Sequence, residues 1–285
     1  MIALFDNRMN QILYTSLVFA GGEVYVNIVP EIVPINVAIY ARLDNSNEVM
    51  KLFMLTDALR RRGATHITLT CPYLPYARQD RECAVGDAFG LKVFADMLNA
   101  QEYTWIKSVD PHSEVARRLI RNFVPLQISI LAGSIISRMR DLDYIVCPGA
   151  GAKDRAETVY EYANSAFVDM KVKGILYFNE HRDPKTGSII SIAPAKNLGD
   201  IKGGRCLIVG DICDDGATFK SVAELLRVAG AATVDLFVTH GIFPKGLAAT
   251  GCDRVLTTDS IEPKDDGRVI VYRFNYLGGE SKQGL

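Results

Sequence analysis

RCLIVGDICDDGATF, residues 205–219, is the stretch whose reading decides the fold. An apolar run, Cys206–Val209, ends at Gly210–Asp211, and Asp214, Asp215, Gly216, Ala217 and Thr218 follow before a helical pattern from about 217 to 229. A short, continuous apolar run of this length reads as a strand buried on both faces. In a parallel sheet, ligands bind at the carboxyl ends of the strands. A small-residue turn leading into a helix exposes backbone N–H groups that suit phosphate. Carboxylates at the same strand end suit ribose hydroxyls, from which they accept. The alternative is an ordinary strand–turn–helix with acidic caps.

Working outward, β-branched runs alternate with helical patterns. VAIYA at 37–41 reads as a strand, and residues 47–62 carry apolar side chains at 49, 50, 52, 53, 55, 58 and 59, a helical rhythm. HITLTCPY at 66–73 is the next strand, 90–98 a helix and YTWIKSV at 103–109 a strand. The second half repeats the scheme: helix 130–139, strand YIVCP at 144–148, helix 154–166, strand GILYF at 174–178, and a long loop or hairpin over 179–203. After the strand at 205–211 and its helix come TVDLFVTHG at 233–241, DRVLTTD at 253–259 and a strand-like VIVYRF near the tail. Such alternation implies parallel strands with helical crossovers. The boundary between halves falls near 125–142, giving domains 1–128 and 129–285. The halves are alike in pattern rather than in sequence.

The chain has 285 residues, room for one large domain or two ordinary ones. Its 48% hydrophobic and 23% charged fractions suit a globular protein, and a net charge of −1 excludes a general nucleic-acid coat. No stretch of about 18 apolar residues and no signal-like start is present, so a cytoplasmic protein without membrane partners is expected. The six cysteines are scattered, with no paired spacing for structural zinc, and suit reduced, buried thiols.

The 205–219 segment resembles the phosphoribosyl-binding loop, DD-x-x-DTGGT, of type I phosphoribosyltransferases and phosphoribosyl pyrophosphate (PRPP) synthetases. Four other segments point to the synthetases. PYLPYARQDRE at 72–82 is similar to their PYFGYARQDRK, SVDPHSEVARRL at 108–119 to their D-L-H segment, FAGGEVYV at 19–26 to F-P-D-G-E, and KVFADML at 92–98 also fits. Order and spacing agree over about residues 15–260. The chain therefore resembles a short, divergent PRPP synthetase. The resemblance implies an α/β protein of two phosphoribosyltransferase-like domains, each a parallel sheet flanked by helices. It also implies a magnesium-dependent transfer of the β,γ-diphosphoryl group of ATP to the anomeric hydroxyl of ribose 5-phosphate, giving PRPP and AMP.

Residue by residue, the resemblance puts Phe19 and Glu23 on the adenine of ATP, partly from a neighbouring subunit, so a homo-oligomer of at least two chains is expected. Arg78 and Gln79 lie on the base and phosphates, where a guanidinium can stack and fork; the alternative for Arg78 is a surface ion pair with Asp80. His112 stands near the ATP phosphates, and Asp110 and His112 near the Mg²⁺, which prefers oxygen ligands and keeps several waters. Asp211, Asp214, Asp215, Gly216, Ala217 and Thr218 form the ribose-phosphate loop. The 179–203 segment matches a catalytic loop, with Arg182 and then Lys185 as its cations; the alternative is a solvated hairpin turning at 185–187. His66 and His240 lie on apolar runs and read as structural.

Four positions depart from the family. Glu180 stands where a Lys is usual, Gly149 where an Asp is usual, Gly210 replaces the first of two paired acids, and Asp215 replaces the Thr of DTGGT. A missing transition-state cation costs a factor of about 10²–10³, for which Lys153, Arg155, Arg182 or Lys185 are candidate replacements. Two unit charges about 4 Å apart repel by roughly 4 kcal/mol at an effective dielectric near 20, an upper bound for Asp215 against a terminal phosphate. That conflict motivates a second acceptor, ADP-ribose, whose 5′-phosphate is esterified; the product would be ADP-ribose pyrophosphate, of use in nicotinamide dinucleotide metabolism. A silent subunit assembled with an active synthetase is a third reading, against which stand Arg78, Gln79, Asp110, His112, Asp211, Asp214 and Thr218. A plain phosphoribosyltransferase is disfavoured by the PYARQD segment and the two-domain length.

Overall fold

The computed structural model describes residues 1–126, 128–139, 141–166, 171–183, 189–196, 198–199, 201–262 and 269–273. Two compact units divide between Leu126 and Gln127.

The first unit runs β1 (Ile2–Asp6), β2 (Tyr14–Val18), β3 (Val24–Ile28), β4 (Asn36–Ala41), α1 (Ser46–Arg61), β5 (His66–Thr70), α2 (Gly90–Ala100), β6 (Trp105–Val109), α3 (Val115–Leu119) and β7 (Phe123–Leu126). Its sheet has the order β1-β4-β5-β6-β7. β4 to β7 are parallel, and β1 closes one edge antiparallel to β4. β2 and β3 form a separate antiparallel ribbon. α1 starts where the Asn45 side chain accepts the Glu48 N–H at 3.1 Å, an N-cap worth about 1 kcal/mol. The helix then buries Val49, Leu52, Leu55, Thr56 and Leu59, the spacing that keeps one face on the sheet. Within that core the Thr56 hydroxyl and the Tyr103 phenol share a 2.7 Å hydrogen bond.

The second unit runs α4 (Ser129–Ile136), β8 (Tyr144–Cys147), α5 (Lys153–Ala166), β9 (Gly174–Arg182), β10 (Ile189–Pro194), β11 (Arg205–Cys213), α6 (Ala217–Val228), β12 (Thr233–Gly241), β13 (Val255–Thr258) and β14 (Val269–Tyr272). Its sheet order is β10-β9-β8-β11-β12-β13-β14. All neighbours are parallel except the β9–β10 hairpin. β11 lies inside the sheet with Cys206–Gly210 all buried, which is why its sequence is a continuous apolar run rather than an alternating one. α6 buries Phe219, Val222, Ala223 and Leu226 against it.

Several expectations are refined. The 179–203 stretch is a hairpin whose first strand continues to Arg182, not a loop from 179; residues 184–188, including Lys185, lie outside the described ones. β1, the β2–β3 ribbon and β7 are strands that the hydrophobic pattern does not signal. The edge strands β1 and β10 are antiparallel. His66 is exposed beside Thr65 rather than buried, whereas His240 is buried against Ser260. Among the described residues no helix is long and apolar enough to cross a membrane.

Five cysteines lie within the two cores or at their margins, and Cys83 is exposed. Burial pushes the Cys71, Cys206, Cys213 and Cys252 thiols up to about 12, and raises Cys147 as well. A thiol titrating four pH units above the medium is a thiolate on the order of 10⁻⁴ of the time, and only the thiolate reacts. A native-state titration at pH 8 with an aromatic disulfide reagent is expected to show one fast thiol, and all six after unfolding. Two or more fast thiols, or no fast thiol until denaturant is added, contradict the burial described.

Candidate active site

In the second unit β8 and β11 are adjacent parallel strands, paired through Tyr144–Val146 and Cys206–Ile208, and β11 runs on to Cys213. The chain leaves β8 through Pro148 and Gly149 into a single 3₁₀ turn, Ala150–Ala152, and then α5. It leaves β11 through Asp214, Asp215 and Gly216 into α6. Gly216 adopts φ 83°, and a β-carbon there would lie 3.0 Å from the Ala249 carbonyl carbon and oxygen. Only glycine meets both conditions without strain. The turn delivers the amides of the first turn of α6 to the edge where ligands bind.

The acids expected on this loop separate by face and partner. Asp211 faces Arg155 of α5, Oδ2 to Nη2 at 3.6 Å, and both side chains are largely buried. Arg155 also donates through Nη1 to the Gly151 carbonyl at 2.8 Å, which fixes the guanidinium beside the β8 end. Asp215 accepts the Ala217 N–H through Oδ1 at 3.0 Å and pairs through Oδ2 with Lys245 at 3.2 Å. Both members of that ion pair are more than half-free to solvent, so it contributes about 0–1 kcal/mol. The Thr218 hydroxyl donates to Glu180 Oε1 at 2.8 Å, across from β9. Asp214 is half-buried at the start of the turn.

Gly210 has a different explanation from a simple vacancy. Its β-carbon would lie 2.9 Å from Phe219 Cζ and 3.3 Å from Val238 Cγ1. Position 210 points to the α6 side of the sheet, into the apolar core, while Asp211 points to α5. The place of an acid at 210 is therefore filled by the Phe219 ring.

In the first unit the PYARQD stretch and the Asp110–His112 stretch are bound together. The Val109 N–H and the Ser108 hydroxyl both donate to the Pro72 carbonyl, at 3.0 and 3.1 Å, and the Cys71 N–H donates to the Lys107 carbonyl at 2.8 Å. Asp110 is buried at φ 40°, a left-handed conformation, and its N–H donates to the Leu126 carbonyl at 2.8 Å. His112 is exposed two residues on. Tyr76 is also left-handed at φ 63°, and the turn it makes lets the Gln79 N–H reach its carbonyl. Gln79 caps the start of α2: its carbonyl accepts the Leu91 N–H at 3.0 Å, and its side chain lies over Gly90 so closely that a β-carbon there would overlap it. Arg78 and Gln79 are exposed. Phe19 and Glu23 face one another across the β2–β3 turn, where the Phe19 N–H donates to the Glu23 carbonyl at 2.9 Å and the Phe19 ring lies 5.9 Å from Tyr25.

Among the described residues no group of three or more His, Cys, Asp or Glu side chains forms a metal cage. The Arg182 side chain and all of Lys185 lie outside the described residues. Of the four candidate replacement cations, Arg155 is held by Asp211 and Lys153 lies 3.8 Å from Glu157. The contact of Glu180 with Thr218 and the seat of Phe219 on Gly210 carry no sequence signal beyond the departures at 180 and 210.

Residues 9–101 match the family model for the N-terminal domain of ribose phosphate pyrophosphokinase, and residues 127–273 match the phosphoribosyl transferase domain. The chain is similar to the ribose-phosphate pyrophosphokinase of Mycoplasmopsis pulmonis, 30% identical over 256 residues that cover 86% of this chain and 75% of that one. It is 29% identical over 275 residues to that of Pasteurella multocida, covering 89% and 82%. A crystal structure of the phosphoribosylpyrophosphate synthetase from Mycobacterium smegmatis shares the fold with a TM-score of 0.77 at 24% identity, over 93% of this chain and 87% of that one.

The seat of Phe219 on Gly210 has a measurable consequence. Gly210→Asp forces a carboxylate into the apolar core against the ring, and is expected to cost about 2–4 kcal/mol in urea unfolding. Combined with Phe219→Ala, the total is expected to fall short of the sum of the single costs by about 1 kcal/mol or more. Additive costs would mean that the two positions do not share one space.

Proposed function

This chain belongs to the ribose-phosphate pyrophosphokinase family, and we propose that it catalyses the Mg²⁺- and ATP-dependent transfer of a diphosphoryl group to the anomeric hydroxyl of a ribose 5-phosphate moiety. Ribose 5-phosphate is the default acceptor, giving PRPP and AMP. The observation that carries the reading is the β11–α6 turn: Asp211 and Asp214 precede a left-handed Gly216 and the N-terminus of a 12-residue helix. That arrangement sets hydroxyl acceptors beside phosphate donors, which is what binding a ribose phosphate requires.

In this reading the first unit holds ATP and the second the acceptor. Arg78 and Gln79 bind the base and phosphates from the turn that caps α2. Phe19 and Glu23 contact the adenine from the β2–β3 ribbon. That ribbon exposes Leu17, Val18, Phe19 and Tyr25, an apolar surface that fits assembly into at least a dimer. Asp211 accepts from a ribose hydroxyl, and Arg155 fixes its orientation. His112 stands by the transferred phosphates, with Arg182 and Lys185 as the cations that meet the charge developing on them.

Asp110 fits the metal as a single strand-end carboxylate, the kind of ligand Mg²⁺ uses when it arrives on nucleotide phosphates and keeps its waters. When bound, the ion supplies charge neutralisation of those phosphates.

A second acceptor is favoured by one contact. Asp215 already occupies the Ala217 N–H, and its charge opposes a terminal phosphate. The 5′-phosphate of ADP-ribose, linked to a second phosphate, carries one charge at this position rather than nearly two, and the product would be ADP-ribose pyrophosphate. Incubating the chain with ATP, Mg²⁺ and each acceptor, then identifying the product by mass, tests the function. AMP and a diphosphorylated acceptor are expected, and chelation of the metal should abolish both. Asp211→Asn is expected to lower kcat/KM for the acceptor about 10²-fold with little change in the KM for ATP. A chain that releases no AMP with any ribosyl acceptor would falsify the proposal.

A further inference from the structure

Glu180 lies on β9, two strands from β11, yet its carboxylate reaches the first turn of α6. The Thr218 hydroxyl donates to Glu180 Oε1 at 2.8 Å. The glutamate lies beside the chain leaving β8 at a residue without a side chain: a β-carbon on Gly149 would stand 3.6 Å from both Glu180 Cβ and Oε2. Within the turn itself, Asp215 Oδ1 accepts the Ala217 N–H at 3.0 Å. A helix N-terminus of this kind offers such groups to a phosphate. Here two of them, a hydroxyl and an amide, already bind carboxylates of the same chain.

We propose that Glu180 is a specificity-determining residue of the acceptor site: by holding the Thr218 hydroxyl it disfavours a terminal phosphate monoester and favours a ribosyl group whose 5′-phosphate is esterified. The inference rests on the diphosphoryl-transfer reading above for the identity of the acceptor, and on the Glu180 contact for its selectivity. Two physical differences separate the ligands. A monoester brings a charge of about −1.5 to −2 at pH 7 and three terminal oxygens that need donors. In ADP-ribose the 5′-phosphate is joined to a second phosphate, so it brings one charge and two non-bridging oxygens to this position, and the other charge lies on the distal phosphate. The monoester must therefore take the Thr218 hydroxyl from Glu180 and bear a larger repulsion from the displaced carboxylate. The diester can leave that hydrogen bond in place. A side chain at 149 would meet Glu180 only at ordinary contact distance, so an acid there would fit and add a second negative charge beside Glu180.

The test measures selectivity rather than activity alone. The full chain, Glu180→Gln and Gly149→Asp are each titrated calorimetrically with ribose 5-phosphate and with ADP-ribose, and AMP release is followed in parallel with ATP and Mg²⁺. Wild type is expected to bind the diester about tenfold or more tighter than the monoester. Glu180→Gln keeps an acceptor for Thr218 and removes only the charge. It is expected to narrow the ratio about fivefold or more, through tighter binding of ribose 5-phosphate. Gly149→Asp adds a carboxylate with room to stand, and should widen the ratio. It decides the matter if the glutamine variant does not fold. Wild type that prefers the monoester, or a ratio unmoved by both variants, overturns the assignment. A ratio that moves as expected without AMP release from either acceptor upholds Glu180 and removes the transferase reading. AMP release with an unmoved ratio does the reverse.

Discussion

The second unit depends on one steric constraint, the close approach of Gly216 to the Ala249 backbone. At φ 83° and with no room for a β-carbon, Gly216 turns the chain from the edge of a parallel sheet directly into α6. The helix then starts where β11 ends, and its first amides lie beside Asp211 and Asp214. Substituting any side chain would cost the left-handed strain of about 1–2 kcal/mol and a displacement of the Leu247–Thr250 turn. The carboxyl edge of the sheet and the N-terminus of the helix are thus one feature, and the chemistry assigned to the loop follows from their coincidence.

What is unusual in this site is where its negative charge sits. The family pattern has a cation at 180 and acids at 149 and 210. Here an acid stands at 180, and 149 and 210 are glycines. The two glycines act in different ways. At 149 a side chain would meet Glu180 only at ordinary contact distance, while at 210 the space is taken by the Phe219 ring within the core. The site therefore exchanges one carboxylate for another on a neighbouring strand, and replaces a second with an apolar filling. The partial positive charge at the start of α6 stabilises both Glu180 and Asp215 there, by about 0.3–1 kcal/mol each. Two of the loop's donors, the Thr218 hydroxyl and the Ala217 N–H, are thus engaged by carboxylates before any ligand arrives.

Much of this was legible in the sequence, and the reasons are physical. Interior strands of a parallel sheet are apolar on both faces, so β4, β8, β11 and β12 announce themselves as runs. α1, α5 and α6 keep their buried residues at helical spacing. β1, β7 and the β2–β3 ribbon give no such signal. β1 and β7 follow or precede polar turns without a clear alternation, and the β2–β3 ribbon exposes most of both faces, so burial imposes no pattern on it. The loop acids could be named from sequence, but their partners could not. Thr218 and Glu180 are 38 residues apart, and Asp211 and Arg155 stand on different elements. Their meeting is a product of strand order, β9-β8-β11, which no local pattern encodes.

The same logic holds in the first unit, where strain marks the position that matters. Asp110 is buried in a left-handed conformation that costs a non-glycine residue of order 1–3 kcal/mol. The surrounding bonds account for its persistence. Its N–H is held by Leu126 on β7, and the two residues before it are held by Pro72. One carbonyl, that of Pro72, thereby ties the PYARQD turn to the end of β6. Asn or Gly would tolerate the backbone more readily, so conformation alone does not select aspartate at 110. Its carboxylate is what an oxygen-seeking cation on nucleotide phosphates would require, and the strained backbone directs the chain on to His112 at the same strand end. The two units thus arrive at the same solution by different means: a glycine in one and a braced aspartate in the other each turn the chain sharply at a strand's carboxyl end, where the proposed function places a phosphate.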